Sequence, residues 1–379
     1  MEYQHGGDIY GNQVEMDYSA NINPLGLPEG VKKALYKAIE TCSCYPDSSC
    51  RELRNALSKF HHINKDYIIC GNGAADLIFQ IVQAVKPERA FLMAPTFSEY
   101  EQALTVTGTE LVYYDLKEEQ GFKPDSREFI RLIEENITQN PLGKGMVFLC
   151  NPNNPTGFAL KKEEVSEILD YCRTHSLYCV VDQCFIEFLD EPEVYSVLNI
   201  TDKQPQDHVF ILKAFTKLYA MAGVRLGYGI CNNRELLEAM ESLRQPWTVS
   251  GLAQAAGVAA LKETEYVKKT KELIRTERKF LKDRLKELGL YVYDSMANYI
   301  FFRDLRPEAQ LKDRLLYHQC LEQRLLIRSC GNYRGLDSTY YRICVKGRED
   351  NLRFLNILQG ILRNETENVG GRESTEKNT

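Results

Sequence analysis

The sequence predicts an α/β fold built on an open and mostly parallel β-sheet. Between about residues 67 and 230, short apolar runs rich in β-branched and aromatic residues alternate with amphipathic stretches. This alternation is typical of strands that are buried on both faces and separated by helices. Seven such runs begin at Tyr67, Ala90, Glu110, Met146, Tyr178, Val209 and Leu226.

The chain is long enough that we expect two domains. It has 379 residues, whereas one hydrophobic core rarely serves more than about 250–300 residues. After Trp247 the pattern changes, and residues 263–288 predict a long charged helix that ends at Gly289. Mixed strand and helix patterns follow, which predict a smaller α+β unit. Residues 364–379 carry almost no apolar side chains, so we expect a disordered tail there.

Composition and charge exclude several classes of protein. The 47 Lys and Arg residues nearly balance 53 Asp and Glu residues, for a net charge of −6, so we expect no nucleic-acid surface. We find no signal peptide and no run of about 18 apolar residues, so we expect no membrane span. The 12 cysteines are spread over the whole chain, which favours reduced thiols in a cytoplasmic protein.

A lysine and an arginine lie just beyond the predicted strand that begins at Val209. Lys217, in Thr216-Lys217, can be desolvated in such a loop, which lowers the pKa of its amine and suits it to a Schiff base. Arg225, further along the chain, can offer a bidentate fork to a phosphate. Taken alone, both side chains are explained more simply as solvated surface charges.

Two polar segments follow other predicted strands. Residues 151–157, with two X-Pro pairs and a glycine, form a turn at a strand's carboxyl end, where open α/β sheets bind ligands. The Asn154 amide can donate a hydrogen bond there. Asp182 ends an apolar strand, and a buried carboxylate is costly unless it is paired. A protonated pyridine nitrogen is a fitting partner, and capping of a following helix is the alternative.

A glycine-rich turn at residues 71–76 follows the first predicted strand and opens a helix. Its small residues, which include Ala74 and Ala75, let backbone N–H groups at the helix N-terminus approach an anion. The turn matches neither the dinucleotide-binding fingerprint nor a Walker sequence, so it is weak evidence by itself.

Together and in this order, these segments resemble the fold-type I, pyridoxal-phosphate-dependent aminotransferase superfamily. The resemblance extends from His5 to about Leu362. It implies a mostly parallel seven-stranded sheet in a large domain at residues 45–257. A smaller α+β domain is then built from both ends of the chain, residues 1–44 and 258–363. The implied cofactor is pyridoxal 5′-phosphate, and the implied assembly is a homodimer.

The resemblance implies a role for each matching residue. Lys217 is the lysine that binds the cofactor covalently, and Asp182 is the partner of its ring nitrogen. The other implied cofactor contacts are Asn154 at the ring oxygen, Arg225 with the backbone of Ala74 and Ala75 at the phosphate, Thr216 beside the lysine, Phe97 stacked on the ring, and Tyr45 reaching the neighbouring subunit's phosphate across a dimer interface.

Three positions depart from the family pattern. Ala214 stands where a Ser or Thr usually precedes the lysine by three residues, so one hydroxyl for the phosphate is missing. Phe185 removes a phenol that usually bonds the ring oxygen, and Asp76 replaces a common Glu.

Lys217 and Asp182 are intact, which argues against a non-catalytic regulatory protein that merely binds the cofactor.

Within the superfamily, the closest branch is the histidinol-phosphate aminotransferase group, and some motifs look more like threonine-phosphate decarboxylases. The more specific motifs are His-Gly-Gly at residues 5–7 and Arg-Ser-Cys-Gly-Asn-Tyr at residues 328–333. Asp8 is a small departure, because Asn is common there. The resemblance implies that Arg342 binds a substrate carboxylate. The implied ligands of a substrate phosphate are Arg328, His5 and Asn23.

The implied reaction is decarboxylation of L-threonine O-3-phosphate to (R)-1-aminopropan-2-yl phosphate in cobalamin biosynthesis. An aminotransferase of the histidinol-phosphate type and an O-phosphoserine decarboxylase that yields ethanolamine phosphate remain open. The same site residues serve transamination or decarboxylation, according to which Cα bond stands perpendicular to the cofactor ring. Sequence spacing does not reveal that angle.

Cys42, Cys44 and Cys50 form a C-x-C-x5-C pattern close to Tyr45. Such a pattern can hold a metal ion, but no second cluster with ligand spacing lies nearby in sequence. We therefore interpret these cysteines as ordinary thiols and expect no metal site.

Overall fold

The computed structural model describes residues 5–198, 207–310 and 315–373. The strands in chain order are β1 (Met16–Asp17), β2 (Ile68–Gly71), β3 (Arg89–Ala94), β4 (Glu110–Asp115), β5 (Gly145–Cys150), β6 (Leu177–Asp182), β7 (Val209–Ala214), β8 (Gly227–Ile230), β9 (Tyr291–Val292), β10 (Tyr299–Arg303), β11 (Leu325–Leu326), β12 (Arg328–Ser329) and β13 (Tyr340–Cys344).

Helices pack around these strands. They are α1 (Glu29–Ala38), α2 (Arg51–His61), α3 (Ala74–Val85), α4 (Ser98–Val106), α5 (Ser126–Gln139), α6 (Lys162–Thr174), α7 (Arg234–Leu243), α8 (Gly251–Ala260), α9 (Thr264–Glu287), α10 (Leu316–Glu322) and α11 (Arg348–Glu373). No helix in the described ranges combines the length and apolar character needed to cross a membrane.

The large sheet has seven strands in the order β2-β8-β7-β6-β5-β3-β4. All its pairings are parallel except those of β8, which runs antiparallel to β2 and β7. Each of the seven apolar runs in the sequence forms one of these strands, so the predicted sheet is confirmed.

Alternate residues of the central strands enter two separate hydrophobic clusters. On β5, Val147 and Leu149 belong to one cluster, and Met146 and Phe148 belong to the other. Successive side chains of a strand point to opposite faces, so both faces of the sheet are covered. The loops that carry polar residues therefore meet at the carboxyl ends of the parallel strands, where this architecture places ligands.

A second sheet of four antiparallel strands, ordered β12-β13-β10-β9, forms the core of the C-terminal unit. The N-terminal strand β1 pairs in parallel with β11 of this unit, Met16 opposite Leu325. This pairing supports our proposal that residues 1–44 and 258–363 build one small domain.

The last helix extends further along the chain than the sequence predicts. Helix α11 continues to Glu373, into the segment 364–379 for which a disordered tail is predicted. The remainder of that segment, 374–379, lies outside the described residues.

Candidate active site

A cavity of about 300 Å³ lies at the carboxyl ends of the large sheet. It is lined by loops of the large sheet together with residues of the N-terminal segment and the four-stranded sheet. Every site residue inferred from the sequence lines it, except Tyr45 and Asn23. Those that do are His5, Ala74, Ala75, Phe97, Asn154, Asp182, Thr216, Lys217, Arg225, Arg328 and Arg342.

Asp182 is the last residue of β6, is buried and lines the cavity. The Tyr100 hydroxyl donates to its Oδ2 atom at 2.7 Å, and the Cys184 backbone N–H donates to Oδ1 at 2.9 Å. Burial raises the pKa of Asp182, against the opposing effect of these donors. A positively charged N–H group brought into the cavity would offset that desolvation and keep the carboxylate ionised.

Tyr100 is a site residue that the sequence does not predict. Its ring stacks on Phe148, with centroids 4.8 Å apart, and meets Phe97 edge-on. Tyr100 follows Phe97 by three residues at the start of α4, so the two side chains share a helix face. The spacing of three residues predicts that the two side chains lie close together, but it does not predict that the Tyr100 hydroxyl reaches Asp182.

Lys217 is half-buried in the cavity and forms no side-chain hydrogen bond with the described residues. Burial, reinforced by the positive charge of Arg342, lowers the pKa of Lys217 to about 8. An amine with this pKa is about one-tenth neutral at pH 7, whereas an ordinary lysine, whose pKa is about 10.4, is almost entirely protonated there.

The structure corrects the expectation for Asn23. The Asn23 amide nitrogen donates to the Leu218 carbonyl at 2.6 Å and to Thr270 Oγ1 at 2.7 Å, and its backbone N–H donates to the Lys217 carbonyl. Asn23 therefore holds the loop behind Lys217 instead of reaching the cavity. Asn21 lines the cavity in its place, with its Oδ1 atom buried and unpaired among the described residues.

An anion cradle forms where α3 begins. Gly73 precedes the helix with φ of +83°, and a Cβ atom there would lie 2.6 Å from a terminal nitrogen of Arg225. Glycine therefore lets the guanidinium approach the helix N-terminus, where the backbone N–H groups of Ala74 and Ala75 begin the helix. Free N–H groups, the helix dipole and a guanidinium together suit a phosphate.

The wall beside this cradle contains Ala214 and Thr216. Thr216 is buried, and its hydroxyl forms no hydrogen bond with the described residues. Ala214 supplies no hydroxyl, so the departure noted from the sequence is present at the cavity surface.

Asn154 connects the two halves of the site. It is buried in the turn after β5, and its Oδ1 atom accepts a hydrogen bond from Arg342. Neighbouring Asn153 fixes the turn through bonds to the Pro95 carbonyl and to Thr156 Oγ1, both at 3.0 Å. Because the Asn154 oxygen is used, its amide N–H groups are left to face a ligand.

Arg328 and Arg342 are both buried and pair across β12 and β13. Arg328 donates to Asn332 Oδ1 at 2.9 Å, and Arg342 donates to the Ser19 carbonyl at 2.9 Å. No carboxylate of the described residues lies within ion-pair distance of either, and Arg342 Nε is buried without a partner. Neutral acceptors do not cancel the charges of two neighbouring desolvated guanidiniums, so this end of the cavity is suited to an anionic ligand.

His5 and Glu99 meet across the cavity mouth. The His5 Nδ1 atom lies 3.2 Å from Glu99 Oε1, with side chains 51% and 12% exposed respectively. Burial raises the pKa of Glu99, while the nearby His5 charge lowers it. Glu99 and Asp182 are the carboxylates among the described residues that line the cavity, and Glu99 is not predicted from the sequence.

Tyr45 is not part of the cavity of its own chain. Its side chain is 80% exposed and stacks on Trp247, with ring centroids 4.4 Å apart. The expected role of Tyr45 in a neighbouring subunit stays a prediction. Nearby Cys42 and Cys44 are exposed and Cys50 is buried. In the described parts of the chain, no group of three or more His, Cys, Asp or Glu side chains could hold a metal ion.

Comparison with known proteins identifies the family. Residues 14–356 match the pattern of aminotransferase class I and II. Threonine-phosphate decarboxylase from Salmonella typhimurium is 35% identical over 348 residues, 92% of this chain and 91% of that protein. An adenosylcobalamin biosynthesis bifunctional protein from Leptospira interrogans is 30% identical over an alignment of 384 positions, which covers 98% of this chain and 42% of that protein.

The fold is also similar to that of a known aminotransferase. The crystal structure of histidinol-phosphate aminotransferase from Clostridium acetobutylicum superposes with a TM-score of 0.82 at 29% identity, and covers 92% of this chain and 99% of that chain. The buried Asp182, the low-pKa Lys217 and the cradle at Arg225 fit a phosphorylated pyridine aldehyde. The chain therefore belongs to the aminotransferase class I and II family, with the fold-type I architecture and pyridoxal phosphate as its cofactor.

Proposed function

We propose that the chain decarboxylates L-threonine O-3-phosphate to (R)-1-aminopropan-2-yl phosphate. The observation that carries this proposal is the buried pair Arg328 and Arg342, which share the cavity with Lys217 and contact no carboxylate among the described residues. A substrate with one carboxylate and one phosphate supplies the two anions that these guanidiniums require. The names of the Salmonella and Leptospira relatives support this substrate and a place in cobalamin biosynthesis.

We assign the cofactor contacts from the contents of the cavity. Asp182 would hold the ring nitrogen, the Asn154 amide the ring oxygen, and Arg225 with the start of α3 the phosphate. Phe97 would pack against the ring, and Thr216, beside Lys217, would face the phosphate. When bound, the cofactor withdraws electrons from the substrate Cα and so weakens its bonds.

The remaining side chains bind and orient the substrate. Arg342 would hold the carboxylate, since its position is fixed by Asn154 and the Ser19 carbonyl. Arg328 and His5 would hold the substrate phosphate at the mouth. Lys217, with a pKa of about 8, is mostly protonated at pH 7 and can give a proton to Cα once CO2 has left.

Transamination of a histidinol-phosphate-like substrate is the second candidate. The similarity to the Clostridium structure over nearly its entire length favours it, because the same fold and cofactor site serve that reaction. Transamination requires a keto acid as amine acceptor, whereas decarboxylation requires none. That difference separates the two candidates without any assumption about the site.

The experiment supplies the purified holoenzyme with O-phospho-L-threonine, O-phospho-L-serine and L-histidinol phosphate, each with and without 2-oxoglutarate. We expect catalytic CO2 release from O-phospho-L-threonine without the keto acid. Preference for O-phospho-L-serine would replace the substrate, and amine transfer from histidinol phosphate with no CO2 release would replace the reaction.

We also propose a homodimer in the cytoplasm. The exposed stack of Tyr45 on Trp247 supports the dimer, since a second chain would cover these rings and receive the Tyr45 hydroxyl at its cofactor phosphate. All 12 cysteines are free thiols, which supports a reducing compartment.

A further inference from the structure

Decarboxylation consumes a proton that transamination does not. The bond between Cα and the carboxylate carbon breaks, its electron pair stays at Cα, and a proton forms the new C–H bond as CO2 leaves. If Lys217 Nζ supplies that proton, solvent must replace it before the product leaves as an ammonium ion. A substrate bound between Lys217 and the cavity mouth would separate this amine from bulk water, and a route along the protein wall would then serve the reloading.

The His5–Glu99 pair runs from solvent into the cavity. His5 is 51% exposed, and with Gly6 it also lines an adjoining cavity of about 570 Å³. Glu99 is 12% exposed and lines the same cavity as Lys217. The Nδ1–Oε1 distance of 3.2 Å is short enough for proton transfer between the two side chains.

The N-terminal segment that carries His5 is fixed against the site. Gly6 packs directly on the Ser19 carbonyl, where any side chain would collide, and the Gly7 backbone N–H donates to Ser19 Oγ at 2.7 Å. The Ser19 carbonyl in turn accepts a hydrogen bond from Arg342. The contacts of Gly6 and Gly7 with Ser19 therefore hold His5 at the cavity mouth. Glu99, in contrast, belongs to helix α4, which packs on the large sheet.

Glu99 has no other assigned purpose in the cavity. Asp182 is committed to Tyr100 and the Cys184 N–H, whereas Glu99 is held more weakly, by a long 3.3 Å bond from Ser98 and its contact with His5. A carboxylate that faces an anionic substrate repels it unless it is paired or protonated. Burial favours the protonated form of Glu99 by raising its pKa, and Lys217 acts electrostatically in the opposite direction.

We propose that Glu99 and His5 form a proton relay that returns a proton from solvent to Lys217 after each decarboxylation. The inference rests on the proposed function, because only a decarboxylase needs this net proton. Lys217 Nζ gives its proton to Cα, Glu99 gives a proton to Nζ, and His5 gives one to Glu99 and takes another from water. No direct hydrogen bond links Glu99 and Lys217 among the described residues, so we assign that step to one bridging water.

Glu99→Gln tests the relay, because the amide keeps the shape of the side chain but cannot pass a proton. Glu101→Gln, on the same helix but outside the cavity lining, is the matched control. For Glu99→Gln we expect kcat to fall by about 10²-fold, within the range for a lost proton-transfer group. We expect KM to be nearly unchanged, the solvent deuterium isotope effect on kcat to increase, and Glu99→Asp to recover part of the rate.

A second readout is the colour of the holoenzyme, which reports where the electron pair is protonated. If Cα is protonated slowly, the electron pair could take a proton at the cofactor instead. Water would then release the substrate carbons as an aldehyde, and the amino group would remain with the cofactor, which would lose its colour. The Glu99→Gln holoenzyme should therefore lose its yellow colour during turnover and regain it with a keto acid, while wild type and Glu101→Gln stay yellow. Melting temperature and cofactor content, measured first, establish that the variant is folded.

The outcomes separate the relay from the proposed function. If wild type releases CO2 and Glu99→Gln raises KM with kcat and isotope effect unchanged, Glu99 only positions His5 and the relay is overturned. A Glu99→Gln variant that equals wild type in every measurement also overturns it. If wild type itself releases no CO2 from O-phospho-L-threonine, the proposed function fails first, and with it the need for the relay.

Discussion

Arg328 and Arg342 lie opposite each other on adjacent antiparallel strands, buried in one cavity wall without a carboxylate partner among the described residues. Each is instead held by neutral acceptors, the Asn332 side chain for Arg328 and the Ser19 carbonyl for Arg342. These acceptors fix the guanidiniums without neutralising them. The protein thus keeps two positive charges available for a substrate with two anionic groups. This arrangement is the feature that bears most directly on substrate specificity.

Removal of either arginine should weaken substrate recognition selectively. For Arg342→Ala and Arg328→Ala we expect a loss of about 2–5 kcal/mol in substrate recognition, because the partner anion is then left desolvated. The control is Arg334→Ala, since Arg334 forms an exposed ion pair with Asp115, and such pairs are worth about 0–1 kcal/mol. Steady-state kcat/KM measures the effect. An Arg342→Ala variant with wild-type kcat/KM would remove this residue from the substrate site.

Cofactor capture should depend on the low pKa of Lys217. Only the neutral amine attacks the cofactor aldehyde, so the association rate with the cofactor-free chain should rise with pH and level off above the Lys217 pKa of about 8. An ordinary lysine would let the rate rise to about pH 10.4. Stopped-flow absorbance follows the reaction, with the colourless Lys217→Ala variant as control. A continued rise through pH 9.5 would contradict the buried environment of this amine.

Tyr100→Phe should weaken cofactor binding through Asp182. The substitution removes a 2.7 Å hydrogen bond from a buried carboxylate and so favours its neutral form, which no longer pairs with a ring cation. We expect about 1–3 kcal/mol of lost affinity. Tyr171→Phe is the matched control, because the Tyr171 hydroxyl is buried without a hydrogen-bond partner among the described residues. Equal cofactor dissociation constants for the two variants would count against the Tyr100 role.

Gly73→Ala should damage the phosphate cradle. The added Cβ would displace Arg225, whose terminal nitrogen lies 2.6 Å from its position, and the φ of +83° adds strain. Gly108→Ala shares a positive φ, +71°, but its Cβ meets nothing within 4 Å, so it isolates the strain from the collision. We expect similar melting temperatures but a lower affinity for the cofactor in Gly73→Ala only. Isothermal titration calorimetry of the cofactor-free chains measures this difference.

A dimer with shared sites predicts complementation. Tyr45→Ala and Lys217→Ala should each have little activity, but a mixed dimer should regain one complete site, with an intact Tyr45 facing an intact Lys217. Sedimentation should give a dimer for wild type. A fully active monomer, or mixed chains that recover no activity, would exclude a role for Tyr45 in the neighbouring subunit.

The sequence predicts the sheet and the covalent chemistry because both depend on local pattern. Lys217, Asp182 and Asn154 each follow a short apolar run, and the ends of parallel strands necessarily converge at one edge. The fold-type I family and its cofactor were predicted from these residues and are confirmed by the family match.

The parts that the sequence does not predict depend on tertiary contacts between distant residues. Tyr100 and Asp182 are 82 positions apart, and nothing local indicates their hydrogen bond. The error at Asn23 has the same cause. Asn21 and Asn23 are close in sequence, and the path of the chain beside Lys217 determines that Asn21 lines the cavity while Asn23 bonds to the Leu218 carbonyl. Glu99 likewise has meaning only once His5 is brought to the cavity mouth.

The most direct test of the central claim is the stoichiometry of one reaction. O-phospho-L-threonine labelled with ¹³C at the carboxylate is incubated with the holoenzyme without any keto acid, and labelled CO2 and aminopropanol phosphate are quantified together. We predict one CO2 for each aminopropanol phosphate over many turnovers. Absence of labelled CO2, with the amino group transferred once 2-oxoglutarate is added, would contradict the account.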